Sequence, residues 1–254
     1  MLVDSHAHLE DEKFNDDREE IIKRCQKELT FLINVGSNID TSKKSIELSK
    51  KYDFIYASVG IHPQYSQQEI NKINMIEELA KNKKVVAIGE IGLDYHYEEP
   101  AKEFQKQVFT EHIRLAKKLK LPVIIHDREA HKDVLEIIKK EWDKELKGVF
   151  HSYSGSVEMA FQCIEMNFYI SLAGPVTFKN ARKTVEVAEK IPIDKLLIET
   201  DSPYLTPEPL RGKRNDPTNV KYVAKKIAEI RNKNFEEISE KTAENAQKLF
   251  NIKI

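Results

Sequence analysis

The chain has 254 residues and a formal net charge of −1, and 40% of its residues are hydrophobic while 33% are charged. This length suits one large domain, here predicted over residues 1–254, and the hydrophobic fraction is sufficient for a buried core. The near-neutral charge argues against general electrostatic binding of duplex DNA, although it is compatible with a local basic patch. The two cysteines, Cys25 and Cys163, lack the close spacing of a metal motif, which indicates a reduced protein.

Eight short apolar runs rich in β-branched residues recur along the chain. They cover residues 2–3, 31–35, 55–59, 85–88, 123–125, 149–150, 168–172 and 196–198. Because these runs are continuously apolar and do not alternate with polar residues, they predict buried parallel strands.

Charged segments with helical periodicity lie between the runs, and many end with Lys or Arg in the last turn, as helix C-termini favour. They cover residues 18–27, 41–51, 70–81, 103–120, 133–144, 179–190 and 218–231. A further amphipathic segment at residues 235–250 predicts an extra C-terminal helix. The alternation without a linker predicts an α/β fold, a single (β/α)8 TIM barrel.

The N-terminus and the lengths of the apolar runs bear on location. The chain begins at once with a strand-like run, so we expect no signal peptide. No apolar run approaches the roughly 18 residues that a membrane span needs. We therefore expect a cytoplasmic protein without a membrane partner, and no feature of the sequence indicates an obligate protein partner.

Metal-ligating residue types follow the predicted strands, at the ends where the active site of a barrel lies. His6 and His8 come directly after the first run. Because alternate side chains of an extended segment point to the same side, both imidazoles can face one cation. Five of the eight histidines occupy such ends. The residues at these positions are His6, His8, His62, Glu90, His126, His151 and Asp201.

Six of these residues form a set suited to two divalent cations, because one carboxylate can bridge both ions while the other ligands divide between them. They are His6, His8, Glu90, His126, His151 and Asp201. Imidazole and carboxylate ligands suit Zn, Mn, Fe or Ni and also admit Mg. We expect two divalent ions per chain, with Mg, Mn and Zn as the leading candidates.

Each candidate ligand also has a plainer structural interpretation. The two histidines of the first motif could be polar residues at a strand end, and Glu90 could form an ion pair with Lys or Arg. Asp201 precedes Ser202 and could simply form a turn. Glu199 is expected to be the buried partner of a ligand histidine. Residues expected to be auxiliary or ordinary are Asp94, Asp127, His96, His112 and His131.

Seven ordered motifs carry a family resemblance that spans the chain. They are VDSHAHL at 3–9, VGIHP at 59–63, AIGEIGLDY at 87–95, PVIIH at 122–126, FHSYSG at 150–155, IETDSPYL at 198–205 and RGKRN at 211–215. On these motifs the chain resembles the TatD family of metal-dependent hydrolases, within the amidohydrolase-like superfamily of barrels.

The resemblance implies a role for each ligand. Glu90 would bridge the two cations, and Asp201 would also accept a proton from the attacking water, so both are expected to be catalytic. The remaining ligands would form two groups, His6, His8 and Asp201 for one cation, and His126 and His151 for the other.

Residues beside the strand ends are expected to contact the substrate. Tyr153 or Tyr204 could stack on a base, as aromatic side chains do on single strands. Arg211, Lys213 and Arg214 form a cationic loop that could hold a phosphate, although such a loop is often only solvated. The predicted substrate-binding residues are His62, Arg128, Tyr153, Tyr204, Arg211 and Arg214.

The function that the resemblance implies is metal-dependent 3′-to-5′ exonuclease action on single-stranded DNA or RNA, with the nucleic acid end as substrate. One alternative is a hydrolase of a small-molecule or aminoacyl ester, amide or lactone, against which the cationic loop argues. A second alternative is a metal-dependent binding protein without turnover, against which the complete set of ligands and base argues.

Overall fold

The strands of the protein alternate with helices and pair in chain order. In the computed structural model, which describes residues 1–253, eight parallel strands form one sheet. The strands are β1 (Val3–Ala7), β2 (Phe31–Val35), β3 (Ile55–Val59), β4 (Val85–Asp94), β5 (Val123–Arg128), β6 (Gly148–Phe150), β7 (Phe168–Leu172) and β8 (Leu196–Ile198). The predicted (β/α)8 TIM barrel is confirmed, and every strand overlaps one of the predicted runs.

Ten α-helices lie between and after the strands within residues 1–253. They are α1 (Arg18–Glu28), α2 (Ile39–Lys51), α3 (Ser66–Glu69), α4 (Ile73–Ala80), α5 (Lys102–Leu119), α6 (His131–Glu141), α7 (Val157–Glu165), α8 (Arg182–Lys190), α9 (Val220–Arg231) and α10 (Phe235–Phe250). Short 3-10 helices span Glu12–Phe14, Pro63–Tyr65, Gly174–Thr177, Ile193–Lys195 and Pro217–Asn219. None of the helices in this part of the chain is both long and apolar enough to cross a membrane.

Two regions of helix differ from the sequence prediction. Helix α7 was not predicted, because its segment carries two glutamates and no lysine or arginine and so lacks a strongly charged face. Ser156 begins it by accepting a hydrogen bond from the backbone N–H of Met159 at 3.3 Å. Of the segment predicted over 70–81, only Ile73–Ala80 is α-helical, as α4. Helix α3 lies before this segment, and the turn between the two helices is closed by a hydrogen bond from Lys72 N to Glu69 O at 2.9 Å.

Apolar side chains fill the interior of the barrel and the layer between the strands and the surrounding helices. In one buried cluster, Val3, Ile33 and Leu197 from three strands pack with Phe250 of α10. The Asn245 side chain of α10 donates to the carbonyl of Leu196, at the start of β8, at 2.8 Å. The predicted C-terminal helix therefore covers the amino-terminal end of the barrel and leaves the carboxyl-terminal end open.

Strands β1 and β8 meet at the carboxyl-terminal end of the barrel. The backbone N–H of Asp201 donates to His6 O at 2.9 Å, and the backbone N–H of His8 donates to Ser202 O at 2.8 Å. Ala7 and Ser202 form an isolated parallel bridge between these hydrogen bonds. Closure of the barrel therefore places the first histidine pair beside Asp201.

Strand β4 is ten residues long and extends well past the predicted run at 85–88. Its extension carries Glu90 and Asp94 to the open end of the barrel. Gly92 has a φ of +145°, and a Cβ there would lie 1.9 Å from the carbonyl oxygen of His126. Because a glycine avoids this clash, β4 and β5 can approach closely where the Glu90 and His126 side chains meet.

Candidate metal centre

Glu90 presents one carboxylate oxygen to each of two histidine pairs. Its Oε2 lies 3.4 Å from Nε2 of His6 and 3.6 Å from Nε2 of His8. Its Oε1 lies 2.8 Å from Nδ1 of His126 and 2.9 Å from Nε2 of His151. Glu90 is 4% exposed, and the basic side chains within salt-bridge distance of it in the described chain are all histidines. The alternative of an ion pair with Lys or Arg is therefore wrong.

The first group of possible ligands consists of His6, His8 and Asp201. The Nε2 atoms of His6 and His8 are 3.1 Å apart, and they lie 3.7 Å and 3.5 Å from Oδ1 of Asp201. Asp4, which is fully buried, accepts hydrogen bonds from the backbone N–H groups of His6 at 3.2 Å and Thr200 at 2.9 Å. These bonds tie β1 to the segment after β8, so the three donor atoms are held where one cation could contact all of them.

The second group centres on His126 and His151, whose Nδ1 and Nε2 atoms are 3.2 Å apart. Together with Glu90 these residues could hold a cation, because one donor atom of each lies within 4.8 Å of the others. His126 also forms a second cluster of this kind with His62 and Asp94. Its Nε2 lies 3.1 Å from Oδ2 of Asp94. The structure thus brings His62 and Asp94 against the second group.

Buried acceptors lie behind two of these imidazoles. Nδ1 of His8 is 2.7 Å from the carbonyl oxygen of Val35 and 3.5 Å from Oε1 of Glu10. Nδ1 of His151 is 3.2 Å from Oε1 of Glu199, as the sequence analysis predicts. An acceptor at one ring nitrogen orients the imidazole and leaves the other nitrogen free to bind a cation.

Burial and charge together set the protonation of the cluster. Burial raises the pKa of Glu90, but the charge of His151 and the hydrogen bonds from His126 and His151 outweigh it and hold this pKa well below its ordinary value. The pKa of Asp201 is lowered in the same way, because its hydrogen bond with His8 and nearby histidine charges overcome the effect of burial. Burial lowers the pKa of His62 to about 3. At neutral pH both carboxylates are therefore ionised and can bind cations.

A cavity of about 690 Å³ opens over these groups at the end of the barrel. His62, Arg128 and Tyr204, three of the residues predicted to bind substrate, line this cavity. Among the described lining residues, Arg128 is the only lysine or arginine, whereas six residues contribute carboxylates. The six are Glu10, Asp11, Glu90, Asp94, Asp127 and Asp201. The lining of the cavity is therefore rich in carboxylates that can bind cations.

Three predicted substrate-binding residues do not line this cavity. Tyr153 is 5% exposed, and its hydroxyl donates to the backbone carbonyl three residues later at 2.7 Å. A guanidinium N–H of Arg214 donates to Asp17 at 2.9 Å, and the Arg211 guanidinium lies 4.3 Å from the ring centroid of Phe178. Each of these side chains is held by other parts of the fold, and contact of the three residues with a substrate stays a prediction.

The remaining histidines have other partners and do not line the cavity, as predicted. Nδ1 of His96 lies 2.8 Å from Glu129, and Nδ1 of His131 lies 2.8 Å from Asp127. His112 is fully buried in α5, where its Nδ1–H donates to the carbonyl oxygen four residues earlier at 2.7 Å.

Sequence reasoning missed Glu10 and Tyr97 at the cavity. Glu10 follows His8 by two residues and accepts a hydrogen bond from the Asn34 side chain at 2.7 Å. The period of two that relates the histidine pair extends to Glu10 and could have identified it. Tyr97 lies beyond β4, with the Arg128 guanidinium 5.5 Å from its ring centroid. No local sequence pattern distinguishes this tyrosine from the other tyrosines of the chain.

Comparison with known proteins gives consistent matches over nearly the whole chain. The family described as TatD related DNase matches residues 3–251. The uncharacterized metal-dependent hydrolase YabD of Bacillus subtilis (strain 168) is 49% identical over 260 residues, covering 99% of this chain and 100% of the relative. The crystal structure of YjjV, a TatD homolog from Escherichia coli K12, has a TM-score of 0.93 and 28% identity, covering 99% and 98% of the two chains. A TatD family hydrolase from Entamoeba histolytica has a TM-score of 0.88 and 25% identity, covering 98% and 97%.

A TIM barrel with buried histidines and carboxylates at its open end is the architecture of a metal-dependent hydrolase. Within this class, the chain belongs to the TatD-related DNase family, because the family match spans residues 3–251. The resemblance found in the sequence motifs is thereby confirmed.

Proposed function

We propose that this hydrolase is a 3′-to-5′ exonuclease that cleaves phosphodiester bonds at the ends of single-stranded DNA or RNA. The observation that carries the proposal is the position of Glu90, which offers one oxygen to the His6–His8 pair and the other to the His126–His151 pair. A carboxylate placed in this way suits a bridge between two cations. Membership of a family described as TatD related DNase supports a nucleic acid substrate.

In this proposal the candidate metal centre consists of six side chains, with Glu90 shared between two sites. One site is formed by His6, His8 and Asp201, and the other by His126 and His151. The mixture of imidazole and carboxylate donors fits Mg²⁺, Mn²⁺ or Zn²⁺. When bound, two such cations supply Lewis-acid polarisation of the scissile phosphate and lower the pKa of water.

The protein groups around the centre have distinct tasks. Asp201 is ionised at neutral pH and lies beside the first histidine pair, 3.5 Å from Nε2 of His8, and we assign to it the role of accepting a proton from the attacking water. Arg128 at the rim is the lining cation that can bind a phosphate oxygen. His62, with its pKa near 3, is neutral at physiological pH and can form a hydrogen bond to the substrate.

A second candidate function is hydrolysis of a small neutral ester, amide or lactone. It is favoured by the lining of the cavity, in which six residues carry carboxylates and Arg128 alone among the described lining residues is a strong cation. The cationic loop that favoured a phosphate substrate in the sequence analysis does not line this cavity. A neutral carbonyl substrate would meet less electrostatic repulsion there than a nucleic acid chain.

The deciding experiment uses metal-stripped protein, a 5′-labelled single-stranded oligonucleotide and added Mg²⁺, Mn²⁺ or Zn²⁺. We expect a ladder that shortens from the 3′ end and requires a cation. Glu90→Gln and Asp201→Asn should each lower the rate of cleavage by at least about a thousandfold, since both residues belong to the same proposed metal centre. Glu47→Gln, on the exposed face of α2, removes a glutamate charge away from the site and serves as the control.

The other outcomes separate the competing functions. Intact oligonucleotide in the presence of protein that binds two cations per chain would reject the exonuclease and favour the second candidate. A panel of p-nitrophenyl esters, anilides and lactones then tests that candidate directly. Failure of the whole panel, with cations bound, would indicate a binding protein without turnover.

A further inference from the structure

Two half-exposed tyrosines lie on opposite sides of the cavity mouth. Tyr97 is 48% exposed and Tyr204 is 44% exposed, and both line the cavity. Tyr97 follows β4 and contacts Arg128 at the end of β5. Tyr204 follows β8, and its hydroxyl donates to Asp11, which follows β1, at 2.8 Å. Because the strands pair in chain order and β1 meets β8, the ends of β4 and β8 face each other across the barrel.

Each ring is oriented by polar neighbours but is not buried. The Lys13 ammonium lies 4.1 Å from the ring centroid of Tyr204, and the Arg128 guanidinium lies 5.5 Å from that of Tyr97. The His96 ring meets Tyr97 edge-on, with centroids 5.0 Å apart and an interplanar angle of 84°. Such contacts restrict a ring while a large part of it stays accessible to a planar partner.

The two tyrosines flank different halves of the candidate metal centre. The Tyr204 ring centroid is 6.4 Å from that of His8, in the first ligand group. Arg128, which contacts Tyr97, is two residues from His126, in the second ligand group. A substrate whose reacting bond lies at Glu90 therefore has one tyrosine available on each side of that bond.

We propose that Tyr97 and Tyr204 are two stacking platforms that bind the nucleobases on either side of the scissile phosphate. This inference rests on the exonuclease function proposed above and specifies how the substrate is held. The cavity has one arginine among its described lining residues, so it offers few contacts to the phosphate backbone. Stacking contributes about 1–3 kcal/mol per base and does not depend on sequence. It can therefore provide affinity for a single strand where few phosphate contacts are available.

The test combines tyrosine variants with abasic substrates. Tyr97→Leu and Tyr204→Leu should each lower kcat/KM on an intact single-stranded oligonucleotide by about 5- to 150-fold. Each ring is expected to stack on one of two bases, the terminal or the penultimate. On an oligonucleotide that lacks the base stacked by a given tyrosine, the leucine variant of that tyrosine should have the same kcat/KM as the wild type. Tyr97→Phe and Tyr204→Phe, which retain the ring, should restore the discrimination between intact and abasic substrates.

Three results would overturn the inference in distinguishable ways. Leucine variants with unchanged kcat/KM, measured against an active wild type, would exclude stacking. Equal losses of kcat/KM on intact and abasic substrates would show that the rings stabilise the structure of the site and do not stack on bases. A wild-type protein that cleaves no oligonucleotide under any added cation would reject the exonuclease function itself, and this inference with it.

Discussion

Nδ1 of His151 lies 3.2 Å from Oε1 of Glu199, a carboxylate that is completely buried. The same oxygen accepts a hydrogen bond from the backbone N–H of Ser152 at 2.7 Å. Glu199 therefore holds both the imidazole and the backbone that follows β6. As a result, Nε2 of His151 is directed at Glu90, 2.9 Å from Oε1.

The first prediction concerns this buried carboxylate. Glu199→Gln keeps an oxygen acceptor for His151 but removes the negative charge that supports the basicity of the ring. We expect the affinity for Zn²⁺ or Mn²⁺ to fall by about 10- to 100-fold. Competition with a chromophoric chelator measures this affinity, and Glu165→Gln on the exposed face of α7 is the control. Equal affinities in the variant and the wild type would contradict this role for Glu199.

The second prediction compares Arg128, which lines the cavity, with Arg211, which does not. Arg128→Ala should lower kcat/KM on a single-stranded oligonucleotide by about 10- to 100-fold, the effect of losing one charged hydrogen bond to phosphate. Arg211→Ala should have little effect, because Arg211 lies against Phe178 and does not line the cavity. Steady-state kinetics of the two variants side by side decide the matter. A larger loss of kcat/KM for Arg211→Ala would indicate that the cationic loop contacts the substrate.

The third prediction tests the close approach of β4 and β5. A Cβ at Gly92 would lie 1.9 Å from the backbone oxygen of His126, so Gly92→Ala should destabilise the protein by about 3 kcal/mol or more. Gly212 also has a positive φ, but a Cβ there would meet no atom within 4 Å. Gly212→Ala should therefore cost only about 1 kcal/mol. Urea denaturation gives both values, and similar costs would argue against this packing.

The fourth prediction concerns the hydrogen bonds of Asn34. Its side-chain amide donates to Glu10 and to Ser45, both at 2.7 Å, and its oxygen accepts from the backbone N–H of Leu9 at 2.6 Å. Asn34→Ala removes the hydrogen bond to Oε2 of the buried Glu10 carboxylate and leaves the backbone N–H of Leu9 without its acceptor, so we expect a loss of about 2–4 kcal/mol in the free energy of unfolding. Ser45→Ala removes one contact only and should cost about 1 kcal/mol. Chemical denaturation of both variants compares the two costs.

The fifth prediction is a pH dependence of stability that arises from His112. Burial lowers the pKa of this histidine to about 4 in the folded protein, against an ordinary value of 6.5. Between these values the unfolded chain binds more protons, so the contribution of His112 is complete above pH 6.5 and is lost as the pH falls towards 4. His112→Leu should reduce the stability lost between pH 7.5 and 4.5 by about 2–3 kcal/mol. Urea denaturation at both pH values measures this difference, and parallel losses in both proteins would contradict it.

The strands and the ligands of the candidate metal centre follow from local sequence patterns. Apolar runs mark the strands, and parallel strands that pair in chain order end at the same edge, so His6, Glu90 and His151 are brought together by fold class alone. Helix α7 was missed because its helical face is not marked by charge. Glu10 was missed although its spacing from His8 repeats that of the first histidine pair.

By itself, the sequence determined the barrel, its family and the chemical types at the strand ends, because periodicity and chain order are local properties. Only the tertiary structure decided which side chains reach the cavity. Arg214 is drawn to Asp17, 197 residues away in the chain, whereas Tyr97 is left half-exposed at the mouth. The direction of a loop side chain depends on partners that are distant in sequence, and those partners are assembled only when the barrel closes.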